Sequence, residues 1–344
     1  MSIADKLQTI KTIKENIKTS INNKGGNVGD NFNEYATAID NISTGGSSKI
    51  SIKDTGLKFG NATFTEVPEN FDFNGVTDYS YMFENCQNLT KAPAGINTTN
   101  TKNLSYMYDR CYKLTTAEVD LTNATNTSYM FRECGNLSNL KIHNFPQTLE
   151  EADYMFNGCG VTSLNLGVFT ANSMRNMFQG CEYLQTITLY AECTGDNAGS
   201  AAQLFDACYE LREVNGYIKV ENITTANRMQ YMFRDCTKLE KLCEVHTNGG
   251  GNNSLRMFSA NMDNLTDFGG VIGLKFSQTN YFLQYCPNLS YQSCINVLNG
   301  LYDFTGNGET PSSAQGKLKV TQSFLDTVGD EVSIAVNKGW TLQV

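Results

Sequence analysis

A nine-residue signature that keeps returning constrains this chain more than any other feature. Tyr81-Met82-Phe83 is followed by Cys86 and Leu89, and the pattern comes back as Tyr106-Met107-Tyr108 with Cys111 and Leu114. It returns as Tyr129-Met130-Phe131 with Cys134 and Leu137, then as Tyr154-Met155-Phe156 with Cys159. Further copies are Met177-Phe178 with Cys181 and Leu184, Leu204-Phe205 with Cys208 and Leu211, and Tyr231-Met232-Phe233 with Cys236 and Leu239. An eighth unit, Met257-Phe258 to Leu265, lacks the cysteine and is one residue longer. The ninth holds Tyr281-Phe282-Leu283, Cys286 and Leu289. From Cys86 to Cys236 the successive signature cysteines stand 25, 23, 25, 22, 27 and 28 residues apart. A fixed period in this range marks a solenoid rather than a set of unrelated globules.

Each unit reads the same way physically. Met and Cys four residues apart share one face of a helical turn, so a short helix is expected to bury Met, Phe and Cys. The alternation after the leucine, as in Leu137, Leu140 and Ile142 or Leu184, Ile187 and Leu189, predicts a strand. Asn-, Thr- and Gly-rich stretches return the chain to the next unit. A single unit cannot cover its own apolar face. Stacking buries it and adds one parallel strand per coil. The fold class expected is therefore an α/β repeat: a leucine-rich-repeat-like solenoid, with a short strand and a short helix in every 22–28 residues.

The M-F-x-x-C-x-x-L pattern resembles the BspA-type leucine-rich repeat, over about residues 50 to 344. That repeat type is carried by bacterial surface proteins and by phage and prophage tail genes. The chain departs from the pattern at Leu204 and Phe282, which replace Met, and at Thr162, where Leu is expected.

The ends differ from the middle. Ile3, Leu7, Ile10, Ile17 and Ile21 line one face of an amphipathic helix. Phe32, Tyr35, Ile39 and Ile42 mark a second one after a Gly/Asn loop. Residues 1–43 are thus expected to form a helical hairpin for anchoring or oligomerisation, too small to stand alone. A linker over 44–49, an N-terminal cap over 50–80, the solenoid proper over 81–290 and a C-terminal cap over 291–344 complete the organisation. In the last part, 291–302 reads as a helix, 317–320 as a strand, 331–338 as a helix and 340–344 as a strand. The hairpin segment resembles N-terminal segments of phage tail and fibre proteins. The run from Ile295 to Tyr302 and the closing Ala335 to Trp340 resemble the ends of phage-borne members of the repeat class.

Composition narrows the partners. A formal net charge of −9 with scattered basic residues argues against nucleic acid, which needs clustered Lys and Arg. No apolar run is long enough to span a membrane, and no secretory h-region follows Met1. The protein is expected to be made in a cytoplasm and assembled there into a particle. Eight of the eleven cysteines occupy the repeat slot. Without close C-x2-4-C pairs, they are expected to be small buried residues rather than metal ligands. Cys193, Cys243 and Cys294 fall outside the slot, and neither His143 nor His246 lies in a catalytic motif. No cofactor, no metal and no enzymatic activity are expected.

Binding is the natural use of an extended strand face. Side chains between the inward residues point to solvent, and in the middle repeats these are Glu118, Lys141, His143, Asn165, Thr188 and Tyr190. The expectation is a virion protein of a phage tail, in a fibre or baseplate. Residues 1–43 would hold other tail proteins or further copies of the chain. The solenoid would hold a host surface glycan or protein. A bacterial cell-surface adhesin is the alternative, and a glycan depolymerase drawing on Glu118, Asp120, Glu150 and Glu151 is a third reading.

Overall fold

Every other backbone N–H of the repeated signature leaves its own coil. The N–H groups of Tyr81, Phe83 and Asn85 donate to the carbonyls of Ser105, Met107 and Asp109 on the next coil, at 2.9, 2.8 and 2.6 Å. Those of Met82, Glu84 and Cys86 turn back to the carbonyls of Tyr79, Tyr81 and Phe83, at 3.1, 3.3 and 3.1 Å. The same alternation recurs from Tyr106 and from Tyr129. It requires left-handed backbone at two places per coil: φ is +57° at Tyr81 and Asn85, +58° and +57° at Tyr106 and Arg110, +62° and +57° at Tyr129 and Glu133. Such residues cannot sit inside a right-handed helix. The helical turn expected per repeat is therefore replaced by a run of tight turns. Met82 and Cys86 are still buried together.

The computed structural model describes residues 14–22, 49–69, 71–195, 200–220, 229–247, 262–275, 282–312 and 315–344. The strands are β1 (Ile50–Ser51), β2 (Phe71–Asp72), β3 (Thr116–Asp120), β4 (Asn139–His143), β5 (Thr148–Glu151), β6 (Ser163–Ser173) and β7 (Thr186–Cys193). They continue as β8 (Glu213–Val220), β9 (Lys241–Thr247), β10 (Asp267–Phe268), β11 (Val271–Ile272), β12 (Lys317–Lys319) and β13 (Thr341–Gln343). β5 to β9 pair in sequence order, and β10 and β11 both add to β9. β3 pairs with β4, β1 with β2 and β12 with β13. All these pairings are parallel, as expected of one strand per coil. The molecule is a leucine-rich-repeat-like solenoid.

Two columns fill its interior. Phe59, Phe83, Tyr108, Phe131, Phe156, Phe178, Phe205 and Phe233 stack ring on ring, with successive centroids 5.0 to 6.0 Å apart. Aromatic pairs of this kind add about 0.5–1.5 kcal/mol each beyond the area they bury. Beside them runs the thiol column. Cys86 Sγ donates to the Phe59 carbonyl at 3.1 Å, Cys111 to Phe83 at 3.2 Å, and Cys134 to Tyr108 at 3.1 Å. Cys181, Cys208 and Cys236 donate to Phe156, Phe178 and Phe205 at 2.9, 3.1 and 3.0 Å. The slot thus asks for a small, nearly apolar side chain that still carries one weak donor, which is what a thiol is. None of the eleven cysteines forms a disulfide, and all are buried.

Two irregular units resolve differently from the sequence reading. In the fourth, Val161 is buried and Thr162 exposed. The leucine slot is filled one residue early, and Thr162 does not occupy it. Gly160 allows the shortening, because a Cβ there would lie 2.2 Å from the Gly135 carbonyl oxygen. In the eighth, buried Met262 takes the cysteine's place: Leu265 N–H donates to its carbonyl at 3.0 Å, as Leu89 N–H does to that of Cys86.

At the N-terminal end of the solenoid, Phe59 starts the ring column and meets Phe71 edge-on at 4.8 Å. Residues 14–22 are helical, with Ile21 buried; the rest of the expected hairpin lies outside the described residues, as do Met257, Phe258 and the side chain of Phe282. At the other end the helix Tyr291–Gly300, capped by Ser290, ends two residues before the expected Tyr302. A helix not anticipated from sequence, Gln322–Val328, is capped by Thr321. The helix Val332–Asn337 follows, and buried Trp340 donates from Nε1 to the Tyr302 carbonyl at 2.8 Å.

Candidate functional site

The six strand-face residues singled out from sequence divide between two sheets. Glu118 (on β3), Lys141 and His143 (on β4) belong to the first; Asn165 (on β6), Thr188 and Tyr190 (on β7) belong to the second. Within each group the parallel register brings them together. Glu118 stands opposite Lys141, and Asp120 opposite His143. His143 Nε2 approaches Glu118 Oε1 at 2.9 Å. That hydrogen bond, with the Lys141 charge, holds the Glu118 carboxyl below the usual range. Asn144 donates to Asp120 Oδ2 at 3.0 Å.

A cleft of about 550 Å³ opens beside this group, between residues 91–99 and β3, with His143 at its rim. It exists because the preceding coil fails to pair fully with β3. Ala92 N–H reaches the Thr116 carbonyl at 3.0 Å; alternation makes Ala94 the next donor due toward β3, but the chain turns there, at Ala94–Gly95, directly after Pro93. The chain swings away and returns at Thr98. Its buried hydroxyl donates to the Asp120 carbonyl at 2.6 Å and accepts the Asp120 N–H at 2.9 Å. Sequence reading missed this feature, although a proline in a strand slot is a sign of interrupted pairing.

On the larger sheet, Asn165, Thr188 and Asn215 form one outward row, and Val168, Tyr190 and Tyr217 the next. Val168 is 60% exposed and Tyr190 38% exposed. The Tyr190 and Tyr217 rings meet edge to face at 5.5 Å. A third row carries charge: Lys219 Nζ pairs with Glu192 at 2.8 Å, and His246 follows on β9, its ring 5.9 Å from that of Tyr217. Tyr217, Glu192, Lys219 and His246 were not anticipated, although Tyr217 is the neighbour of Tyr190 on the next strand and Glu192, Lys219 and His246 form the outward row two residues on.

A different surface carries the signature tyrosines. Tyr81, Tyr106, Tyr129 and Tyr154 stack at 4.6, 4.5 and 4.8 Å. The Arg132 guanidinium lies 4.7 Å above the Tyr129 ring and forms two bonds to the carboxylate of Asp109, at 2.7 and 2.8 Å. Arg234 repeats the arrangement over Tyr231, with Asp206 as its carboxylate. Among the described residues no group of His, Cys, Asp and Glu is arranged to hold a metal, and no helix is long and apolar enough to cross a membrane.

Stacked coils and parallel pairing define a leucine-rich-repeat-like solenoid with a solvent-facing strand surface. Residues 152–269 match the model of the BspA type Leucine rich repeat region, in 6 copies. Residues 54–169 match that of a Mycoplasma protein of unknown function, DUF285. No curated protein matches the chain. A similar solved structure is that of a leucine-rich repeat protein from Bacteroides ovatus ATCC 8483, at 14% identity and a TM-score of 0.33, covering 80% of this chain. This chain spans 64% of the length of that protein.

Proposed function

We propose that this chain is a non-enzymatic recognition protein that adheres through the outward face of its sheet, and that it serves as an adhesion subunit of a phage tail. In this reading residues 1–43 join it to other tail proteins or to copies of itself, and the solenoid meets a glycan or protein of the host surface. The observation that carries the recognition role is the row Val168, Tyr190 and Tyr217. It leaves apolar and aromatic surface in water across three neighbouring strands, flanked by the ion pair of Glu192 and Lys219. Rigid aromatic side chains of this kind provide contact area at small entropic cost. The tail location rests on the resemblances at the two ends of the chain.

The test has two arms. An antibody against the full chain is applied to purified virions and to intact host cells. Label on virion tails is the expected result; label on the cell surface alone sinks the tail assignment in favour of a bacterial adhesin. Separately, host-cell binding by the full chain is compared with that of a Tyr190→Ala, Tyr217→Ala variant. A loss of tenfold or more is expected, and unchanged binding removes this face from the role. Under this reading, host capsule incubated with the protein gives no new reducing ends.

A further inference from the structure

The cleft beside β3 presents an unused piece of strand edge. Asn139 N–H donates to the Thr115 carbonyl at 3.1 Å, and Leu121 N–H to that of His143 at 2.9 Å. Bonding residues alternate along a parallel pair, so Ala117 and Val119 address β4, while Thr116, Glu118 and Asp120 address the preceding coil. Thr116 is met there by Ala92, and Asp120 by the Thr98 hydroxyl. Between them the Glu118 N–H and carbonyl face the cleft beyond Pro93, and among the described residues the 91–99 segment makes no bond to them. The donor and the acceptor stand side by side at the wall of a cleft whose volume of about 550 Å³ lies in the range of small-molecule sites, about 300–1,000 Å³.

We infer that this cleft is a saccharide subsite for a neutral sugar ring. The inference rests on the recognition role proposed above and names a ligand class for it. A vicinal pair of hydroxyls complements the exposed edge, one accepting from the Glu118 N–H and the other donating to its carbonyl. The Glu118 carboxylate, turned toward His143, supplies a further acceptor at the mouth, and the Asn97 amide lines the opposite wall. Pro93 and Ile96 give the ring's C–H face an apolar floor. A carboxylate or phosphate ligand brings acceptors only and meets the Glu118 carbonyl and carboxylate with nothing to donate. A through-running peptide strand is excluded by the bridges that close the gap at both ends, from Ala92 to Thr116 and from Thr98 to Asp120.

The test is saturation-transfer NMR on the full chain with methyl α-glucoside, methyl α-galactoside and methyl α-mannoside, and with glucuronic acid and N-acetylalanine methylamide as contrasting probes. At least one neutral glycoside is expected to bind, and Glu118→Pro to weaken it about tenfold or more by deleting the N–H donor together with the carboxylate acceptor. Proline is tolerable at that position because the N–H it removes is not in the ladder. Should that variant fail to fold, Ile96→Trp, which fills the cleft, is expected to abolish the signal. Binding of none of the neutral glycosides, tighter binding of the acid or the peptide amide, or undiminished binding by a folded Glu118→Pro or Ile96→Trp variant overturns the inference. If host-cell adhesion depends on Tyr190 and Tyr217 while no neutral glycoside binds, the cleft assignment falls and the recognition role stands.

Discussion

Replacing Arg132 by alanine is expected to be among the most damaging single changes outside the apolar core. The Asp109 carboxylate has no solvent exposure, and the Arg132 side chain is only 18% exposed. Their two bonds, at 2.7 and 2.8 Å, tie one coil to the next. Removing one partner of a buried pair strands the other charge, at about 3–5 kcal/mol. Partial exposure of the arginine places the expected loss near the lower end, and the contact with Tyr129 adds about 0.5–1 kcal/mol. Arg212 provides an internal control. It pairs with Glu240 on the following coil, but both are about half exposed, so Arg212→Ala is expected to cost less than about 1 kcal/mol. The assay is urea unfolding of the full chain followed by circular dichroism. Midpoints are the quantity to compare, because a solenoid need not unfold in one step. A double replacement, Asp109→Leu with Arg132→Met, is expected to recover most of the loss, since no charge is then left buried. Equal midpoint shifts for Arg132→Ala and Arg212→Ala would refute the burial reasoning.

Burial pushes the Cys86 thiol up to about 11 and the Cys159 thiol to about 12. A raised thiol value favours the neutral folded form, so this contribution is intact below the ordinary thiol range and is lost as pH climbs through it toward those values. Thiol titration of the native protein at pH 8 is therefore expected to be slow at these two sites and fast in denaturant; rapid native labelling would contradict their burial. Gly160→Ala is expected to cost about 1–3 kcal/mol, because its Cβ meets the Gly135 carbonyl oxygen at 2.2 Å and the carbon at 2.8 Å; a urea midpoint within error of the parent would show that the fourth unit relaxes freely. Glu133→Gly is expected to be neutral to stabilising by up to about 1 kcal/mol, since φ there is +57° and the equivalent residues of the next two coils are already Gly158 and Gly180; a clear loss in the same assay would assign Glu133 a role beyond its bond from the Tyr112 hydroxyl.

The columns were legible because identity repeats: Phe83, Phe131 and Phe156 differ in neighbours but not in place, and so do the cysteines. The period alone was enough to call for stacked coils and parallel strands. The conformation of the signature was not legible. Met82 and Cys86 at a spacing of four suit a helix as well as a turn run, and the deciding bonds go to another coil, which no local pattern encodes. Irregular units failed for a related reason. Counting three residues from Cys159 lands on Thr162, and only the close approach of Gly160 to Gly135 shows that Val161 is the inward residue. The outward candidates lie on strands, where alternation along β3, β4 and β7 holds. Their separation into two sheets depends on where coils stop pairing, which rests on single residues such as Pro93.

The two candidate surfaces share an origin in lapses of the regular ladder. Beside β3 the lapse is Pro93, which leaves the Glu118 edge open. In β6 it is the bulge between Asn165 and Gly167, where the register against β7 slips by one residue. Gly167 adopts φ +66°, and the Asn165 side chain accepts its N–H at 3.2 Å. Strand side chains alternate strictly, so with Leu166 inward an unbroken β6 would turn Val168 into the core and Phe169 into water. The extra residue reverses both: Phe169 is buried against the edge of Phe145, and Val168 joins Tyr190 and Tyr217 outside. Bulges are over-represented next to functional sites because they re-aim side chains in this way. On the opposite side, where the turn runs bond coil to coil from the signature at Tyr81 to that at Phe205, the surface carries its own tyrosine stack and arginine clamps. Among the described residues the strand side combines an open strand edge at Glu118 with the outward row of Val168, Tyr190 and Tyr217.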